Sequence, residues 1–66
     1  MVMPSDVELW RTAWVIAEQY GSEGVDFAAE MAQSFESGGK TFEQGVWLAI
    51  MYKVEEITAG EGRALQ

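Results

Sequence analysis

The sequence predicts an all-α fold, a compact domain of three helices at about residues 6–20, 23–37 and 41–59. Glycines separate three segments of helix length, and apolar residues recur in each segment at the spacing of one helix face. Capping motifs precede two of the three segments. The chain has 66 residues, which suits one small domain. We therefore expect a single helical domain over residues 1–66, in which residues 60–66 form a frayed tail.

The first helix is predicted to follow Pro4. Ser5 and Glu8 fit a capping box, in which each side chain accepts a hydrogen bond from the other residue's backbone N–H. Gly21 suits a left-handed C-terminal cap after Tyr20. Apolar side chains cover about half of the circumference and are expected to face the core: Val7, Leu9, Trp10, Ala13, Trp14, Ile16, Ala17 and Tyr20.

The second helix is predicted from about Glu23 to Ser37, with Ser22 as its N-cap and Gly38-Gly39 as its end. Its polar residues share one side, as expected for an amphipathic helix. The apolar arc on the other side consists of Val25, Phe27, Ala28, Ala29, Met31, Ala32 and Phe35.

The third helix is predicted to open at Thr41, where Thr41 and Gln44 fit a second capping box, and to close at Gly60. It carries two apolar stripes on different faces. The first consists of Val46, Trp47, Ile50, Val54 and Ile57, and the second of Gly45, Leu48, Ala49 and Tyr52. A helix that is apolar nearly all round is normally buried nearly all round, so we expect this helix to be the central element.

Two interpretations remain for the second stripe. It is core if the other two helices flank the third on both sides. Alternatively, it is a dimer interface formed by Gly45, Leu48, Ala49 and Tyr52, with two third helices crossing about a two-fold axis. The core of a domain this small seldom supplies more than ~3–5 kcal/mol, and the chain has no Cys for a disulfide. A second subunit is one way to provide the missing burial.

The composition excludes much of the usual catalytic chemistry. The chain has no His and no Cys, and therefore no imidazole base, no thiolate nucleophile and no cysteine-type zinc site. The linker Ser37–Thr41 resembles a phosphate-binding loop only superficially, because the required glycine spacing is missing. Glu55 and Glu56 point about 100° apart on a helix and do not converge on one ion. We predict that the protein is not an enzyme and has no catalytic residue, cofactor or metal ion.

The negative charge is concentrated in the first half of the chain. The net charge is −7, and residues 1–36 hold seven acidic residues against the single base Arg11, a net −6. Such a chain repels phosphate, so we expect no direct binding to nucleic acid or to an anionic membrane. The leading interpretation of the charge is solubility. The alternative is an acidic docking face for a basic partner protein, made of Glu18, Glu23, Asp26 and Glu30.

Hydropathy predicts a soluble, cytoplasmic protein. The first residues, Met1–Asp6, lack the positive and apolar regions of a signal peptide. The longest apolar run, Val46–Tyr52, has seven residues, whereas a membrane-spanning helix needs ~20.

The chain resembles a group of short uncharacterised bacterial proteins that are grouped as a domain of unknown function. The resemblance covers about residues 9–57 and rests on Trp10, Ala13, Tyr20-Gly21, Phe27-Ala28-Ala29, Gly38-Gly39, Gly45, Trp47, Ile50 and Glu55-Glu56. In that group the first helix usually ends in His-Gly, and here Tyr20 takes the place of the His. The resemblance implies a compact three-helix protein, and it implies no activity, cofactor or catalytic residue.

Together these observations predict a small non-enzymatic protein that acts through protein–protein contacts as a homodimer. The alternative is an acidic decoy or inhibitor that masks a basic partner, such as a nucleic-acid-binding protein.

Overall fold

The computed structural model describes the backbone of residues 4–64 and the side chains of residues 4–59. It contains three helices: α1 (Asp6–Tyr20), α2 (Gly24–Ser37) and α3 (Thr41–Ala64). The predicted all-α, three-helix fold is confirmed. α3 packs against both α1 and α2, which touch each other little. α3 is therefore the central element, as its composition predicted.

α1 begins at Asp6 as predicted and has the Ser5 half of the predicted capping box, whereas the connection to α2 differs. Ser5 Oγ accepts a hydrogen bond of 3.3 Å from the Glu8 backbone N–H. Gly21 has a φ of 58° and a ψ of −131°, a conformation open mainly to glycine. This ψ leads the chain into a single 3₁₀ turn, Gly21–Glu23, rather than directly into α2. Glu23 consequently occupies the N-cap position of α2, and the predicted Ser22 cap is wrong.

The predicted break at Gly38-Gly39 is a Schellman motif. The Lys40 N–H donates to the Phe35 carbonyl at 2.9 Å and the Gly39 N–H donates to the Glu36 carbonyl at 3.0 Å. Gly39 has a φ of 74°, which completes the motif and ends α2. Because the Gln44 N–H then donates to the Lys40 carbonyl at 2.9 Å, Thr41 lies inside the first turn of α3 rather than at its cap.

α3 continues beyond the predicted end at residue 59, through Gly60 to Ala64. Glycine inside a helix costs only about 1 kcal/mol relative to alanine, so Gly60 alone does not end the helix. Of the predicted tail 60–66, residues 65–66 and all side chains lie outside the described residues.

The core lies between α3 and the inner sides of the other two helices. Alanines of α1 and α2 supply much of its surface, which lets both helices approach α3 closely. The buried apolar residues are Leu9, Ala13, Ile16, Ala17, Ala28, Ala32, Ile50, Val54 and Ile57. The last three confirm the predicted core stripe of α3, and Val46 and Trp47 pack against the same cluster.

Gly24 lies where the three helices converge. A Cβ at this position would be 3.0 Å from Val54 Cγ1 and 3.2 Å from Ile16 Cγ2. Both contacts are closer than ordinary van der Waals packing, so the absence of a side chain at Gly24 allows the start of α2 to pack against α1 and α3 at once.

The apolar arc of α1 is narrower than predicted. Val7, Trp14 and Tyr20 were expected to face the core, but all three are exposed. α1 packs mainly against α3 alone, and one neighbouring helix covers only a narrow stripe of it.

Candidate interaction surfaces

One side of α3 is left open by the other two helices. Tyr52 is 63% exposed, and its direction is about 160° from that of the buried Val54. A Cβ on Gly45 would have no atom within 4 Å. Leu48 is half-buried and stands outside the core cluster. We call Gly45, Leu48 and Tyr52 the open face of α3.

Ala49 is the fourth residue of the predicted interface and lies at the edge of the open face. It is half-buried and packs against the core cluster. The structure therefore places three of the four predicted interface residues on the side of α3 opposite its buried residues, where Tyr52 is exposed and Gly45 and Leu48 are half-buried, and it places the fourth between that side and the core.

The two ends of the open face differ in charge. Tyr52, Glu55, Glu56 and Ala59 line a shallow hollow of about 380 Å³ toward the C-terminal end. At the other end lies the first turn of α3, which contains Glu43, has backbone N–H groups with no partner inside the helix, and follows the exposed Lys40. The C-terminal end thus carries two carboxylates, whereas at the N-terminal end Lys40 offsets Glu43 and the positive end of the helix dipole remains.

Lys53 lies on the border between α3 and α1. Its Nζ is 3.1 Å from Asp6 Oδ1 and 4.8 Å from the centroid of the Trp10 ring. The Lys53 side chain is only 18% exposed. These contacts hold the first turn of α1 against α3, which gives Lys53 a structural role at this position.

A second surface combines acidic and aromatic side chains. Glu23, Asp26 and Glu30 line a hollow of about 220 Å³ together with Tyr20 and Phe27. The Tyr20 and Phe27 rings are stacked, with centroids 4.5 Å apart and an interplanar angle of 12°. We call these five residues the acidic hollow.

The acidic hollow contains three of the four residues predicted as an acidic docking face. Glu18 is exposed on α1 and is not among the lining residues. Sequence reasoning missed Tyr20 and Phe27 as parts of this surface, because both were assigned to apolar core arcs. The two rings meet across the 3₁₀ turn, which lies between them in the chain.

Trp47 supports the floor of the acidic hollow from α3. Its ring meets Phe27 edge to face, with centroids 6.0 Å apart and an interplanar angle of 80°. Such aromatic pairs contribute about 0.5–1.5 kcal/mol beyond the burial of their area. The aromatic part of the hollow is therefore anchored to the core rather than carried by a free side chain.

Neither surface has the arrangement of a metal centre. Among the side chains that the structure describes, no three carboxylates are grouped so that they could hold one ion. Within the same part of the chain, no helix is both long enough and apolar enough to cross a membrane.

Comparisons with protein-family models, with curated proteins and with solved structures give no match for this chain. The resemblance to bacterial three-helix proteins therefore stays a prediction. The open face of α3 and the acidic hollow are the features that bear on its function.

Proposed function

We propose that this protein acts without catalysis, through protein–protein contacts, and forms a homodimer through the open face of α3. The cytoplasm is its proposed location. The observation that carries the proposal is the exposure of Tyr52 beside the uncovered Gly45 and the half-buried Leu48. Contiguous apolar surface of this kind usually marks an interface.

The open face of α3 fits this role better than the outer side of α1. α1 also exposes apolar residues, Val7, Trp14 and Val15. On the helical wheel, however, the charged Arg11 and Glu18 fall between Val15 and the other two. On α3, no charged residue lies between Gly45, Leu48 and Tyr52, and Glu55 and Glu56 adjoin Tyr52 only on its C-terminal side.

Small size gives a physical reason for self-association. A chain of 66 residues buries only about 60% of the surface that it exposes when unfolded. Each 100 Å² of apolar surface that a second copy covers contributes about 2.5 kcal/mol before the entropic cost of association. A dimer through α3 would bury Tyr52 and Leu48 without changing the existing core.

The experiment compares two substitutions of exposed or half-buried apolar residues by glutamate. Leu48→Glu places a charge on the open face, whereas the control Val15→Glu places one on the outer side of α1. Light scattering after size-exclusion chromatography should give twice 7.3 kDa for the unaltered chain and for Val15→Glu. It should give 7.3 kDa for Leu48→Glu. Equal masses for the two variants would contradict the proposal.

A second candidate function is that of an acidic decoy that masks a basic partner protein. The observation that favours it is the acidic hollow, which places three carboxylates around a stacked aromatic pair. Arginine and lysine bind both carboxylates and aromatic faces. The hollow therefore has the chemistry to hold a basic side chain of a partner.

The decoy function can be tested with an arginine-rich peptide as a probe. Its binding should weaken as salt is raised through the range in which the Debye length falls from ~30 Å to ~8 Å. Asp26→Asn with Glu30→Gln should reduce binding more than Glu8→Gln with Glu36→Gln, which removes the same charge outside the hollow. Equal losses in the two double variants would show that only net charge matters.

A further inference from the structure

We infer that two copies join with their α3 helices antiparallel, so that Tyr52 of each copy inserts beside Gly45 and between Leu48 and Ala49 of the other. This inference rests on the proposed homodimer and adds the direction and register of its helices. It is carried by the spacing of the open-face residues and by the distribution of charge along the same face.

The spacing matches the way in which one helix receives a side chain of another. Gly45, Leu48, Ala49 and Tyr52 stand at i, i+3, i+4 and i+7. Four residues at this spacing form the hole that accepts a knob from a facing helix. Gly45 leaves one corner of the hole empty, because apart from its chain neighbours and its own helix backbone no atom lies within 4 Å of the position where a Cβ would be. Glycine at position 45 therefore leaves room for a large ring, whereas any side chain there would obstruct it.

Tyr52 is the side chain on this face best suited to be the knob. It is the largest residue of the open face and is 63% exposed. Insertion would cover its ring with Leu48 and Ala49 of the other copy. Tyrosine is favoured at interface centres because it offers a large contact area at a small entropic cost.

Charge selects the antiparallel direction. In a parallel pair, Glu55 and Glu56 of each copy would face the same residues of the other, and like charges would repel. In an antiparallel pair, both would lie beside the first turn of the other α3. That turn has N–H groups with no partner inside the helix and follows the exposed Lys40, and both favour a neighbouring carboxylate. The carboxylate of the turn itself, Glu43, lies about 180° round the helix from Tyr52. The hollow lined by Glu55 and Glu56 gives the Lys40 side chain room to enter.

The register follows from placing Tyr52 in the hole. Leu48 of one copy then faces Tyr52 of the other, and Gly45 faces Glu55. Gly45 of one copy lies about 15 Å along the axis from Gly45 of the other, because ten residues separate it from its facing position. In a parallel pair the two Gly45 residues would be adjacent. The two arrangements therefore differ in which pairs of positions a disulfide can join.

Disulfide trapping distinguishes the two directions, and the chain has no native Cys to interfere. Gly45→Cys and Glu55→Cys are made in separate chains, mixed, and oxidised mildly. Two Cα atoms more than about 7 Å apart cannot be bridged without backbone movement. We expect the mixture to form the disulfide between the two different chains at least tenfold more than either chain alone forms its own.

Self-linking of Gly45→Cys alone, at the level of the mixture, would overturn the antiparallel arrangement. If the reduced variants have lost the dimer mass that the unaltered chain retains, the same experiment is done with Thr41→Cys and Ala59→Cys, which face each other in this register outside the hole. Absence of a mixed disulfide in that pair also overturns the inference. A monomeric unaltered chain, by contrast, contradicts the proposed homodimer itself, so the two failures are distinguishable.

Discussion

α3 has two apolar sides that differ in what surrounds them. Ile50, Val54 and Ile57 are buried beneath α1 and α2, and Val54 has no exposed surface. On the other side, nothing lies near the Cβ position of Gly45, and Tyr52 is largely exposed. The covered side consists of aliphatic side chains, whereas the open side combines Leu48 with a glycine and a tyrosine.

The difference teaches that two flanking helices cover only one side of α3, and that the side they cover is the more aliphatic one. α1 and α2 both pack against α3, and the α3 side chains that they bury, Ile50, Val54 and Ile57, lie within one half of its circumference. The opposite half, which includes Tyr52, is left open. A stripe that is apolar but uncovered within the chain is available to a second copy.

The largest expected difference in stability is between two truncations to alanine, one on each side of α3. Ile50→Ala removes a buried side chain and should lower the free energy of unfolding by about 2–4 kcal/mol, which is most of what a domain of this size has. Leu48→Ala should change it by less than about 1 kcal/mol in dilute solution, because Leu48 is outside the core cluster. Urea unfolding followed by circular dichroism measures both. Similar losses in the two variants would break the distinction between the sides.

A smaller effect is expected from the matched glycines on α2 and α3. Gly24→Ala should destabilise the protein by about 1–2 kcal/mol, because the new methyl group would press on Val54 and Ile16. Both of those side chains are β-branched and cannot swing away easily.

Gly45→Ala should have the opposite sign. Alanine stabilises a helix interior by about 0.5–1 kcal/mol relative to glycine, and the space at Gly45 is open within the chain. The same methyl group would enter the hole proposed for Tyr52, so the dissociation constant of the dimer should rise. Thermal unfolding at low concentration measures the first effect, and light scattering over a dilution series measures the second. Tighter association of Gly45→Ala would be incompatible with the proposed hole.

The smallest effect is expected at Lys53, on the border between the two sides. Lys53→Met keeps the apolar stem but loses the ion pair with Asp6 and the cation–π contact with Trp10. Since Asp6 is largely exposed, the loss should be about 0.5–1 kcal/mol. Asp6→Asn should lose less, and its effect should shrink in 1 M salt. A salt-independent effect of Asp6→Asn would show that packing, rather than charge, holds α1 here.

Much of the fold was predictable because its signals are local. Ser5 caps α1 and Gly39 ends α2 through hydrogen bonds within a few residues of the chain. Periodicity likewise identified Ile50, Val54 and Ile57 as core. The 3₁₀ turn was not predicted, because it follows from the ψ angle of Gly21. The presence of a glycine at this position does not indicate which ψ angle it adopts.

The packing role of Gly24 and the residues that form the two surfaces were not predictable from local signals, because they depend on contacts between different helices. Gly24 has its role only because Ile16 and Val54 converge on it from other helices. Tyr20 was assigned to the core by its helical position, although α1 has too few neighbours to cover it. Glu23, Asp26 and Glu30 line one hollow because they are three and four residues apart, from the end of the 3₁₀ turn into α2. Residues at this spacing share one side of a helix.

The most direct test of the central claim is the mass of the unaltered chain by sedimentation equilibrium, over a concentration series that reaches high micromolar. A homodimer through the open face of α3 predicts a mass of twice 7.3 kDa that falls toward 7.3 kDa on dilution. A mass of 7.3 kDa at every concentration would contradict it.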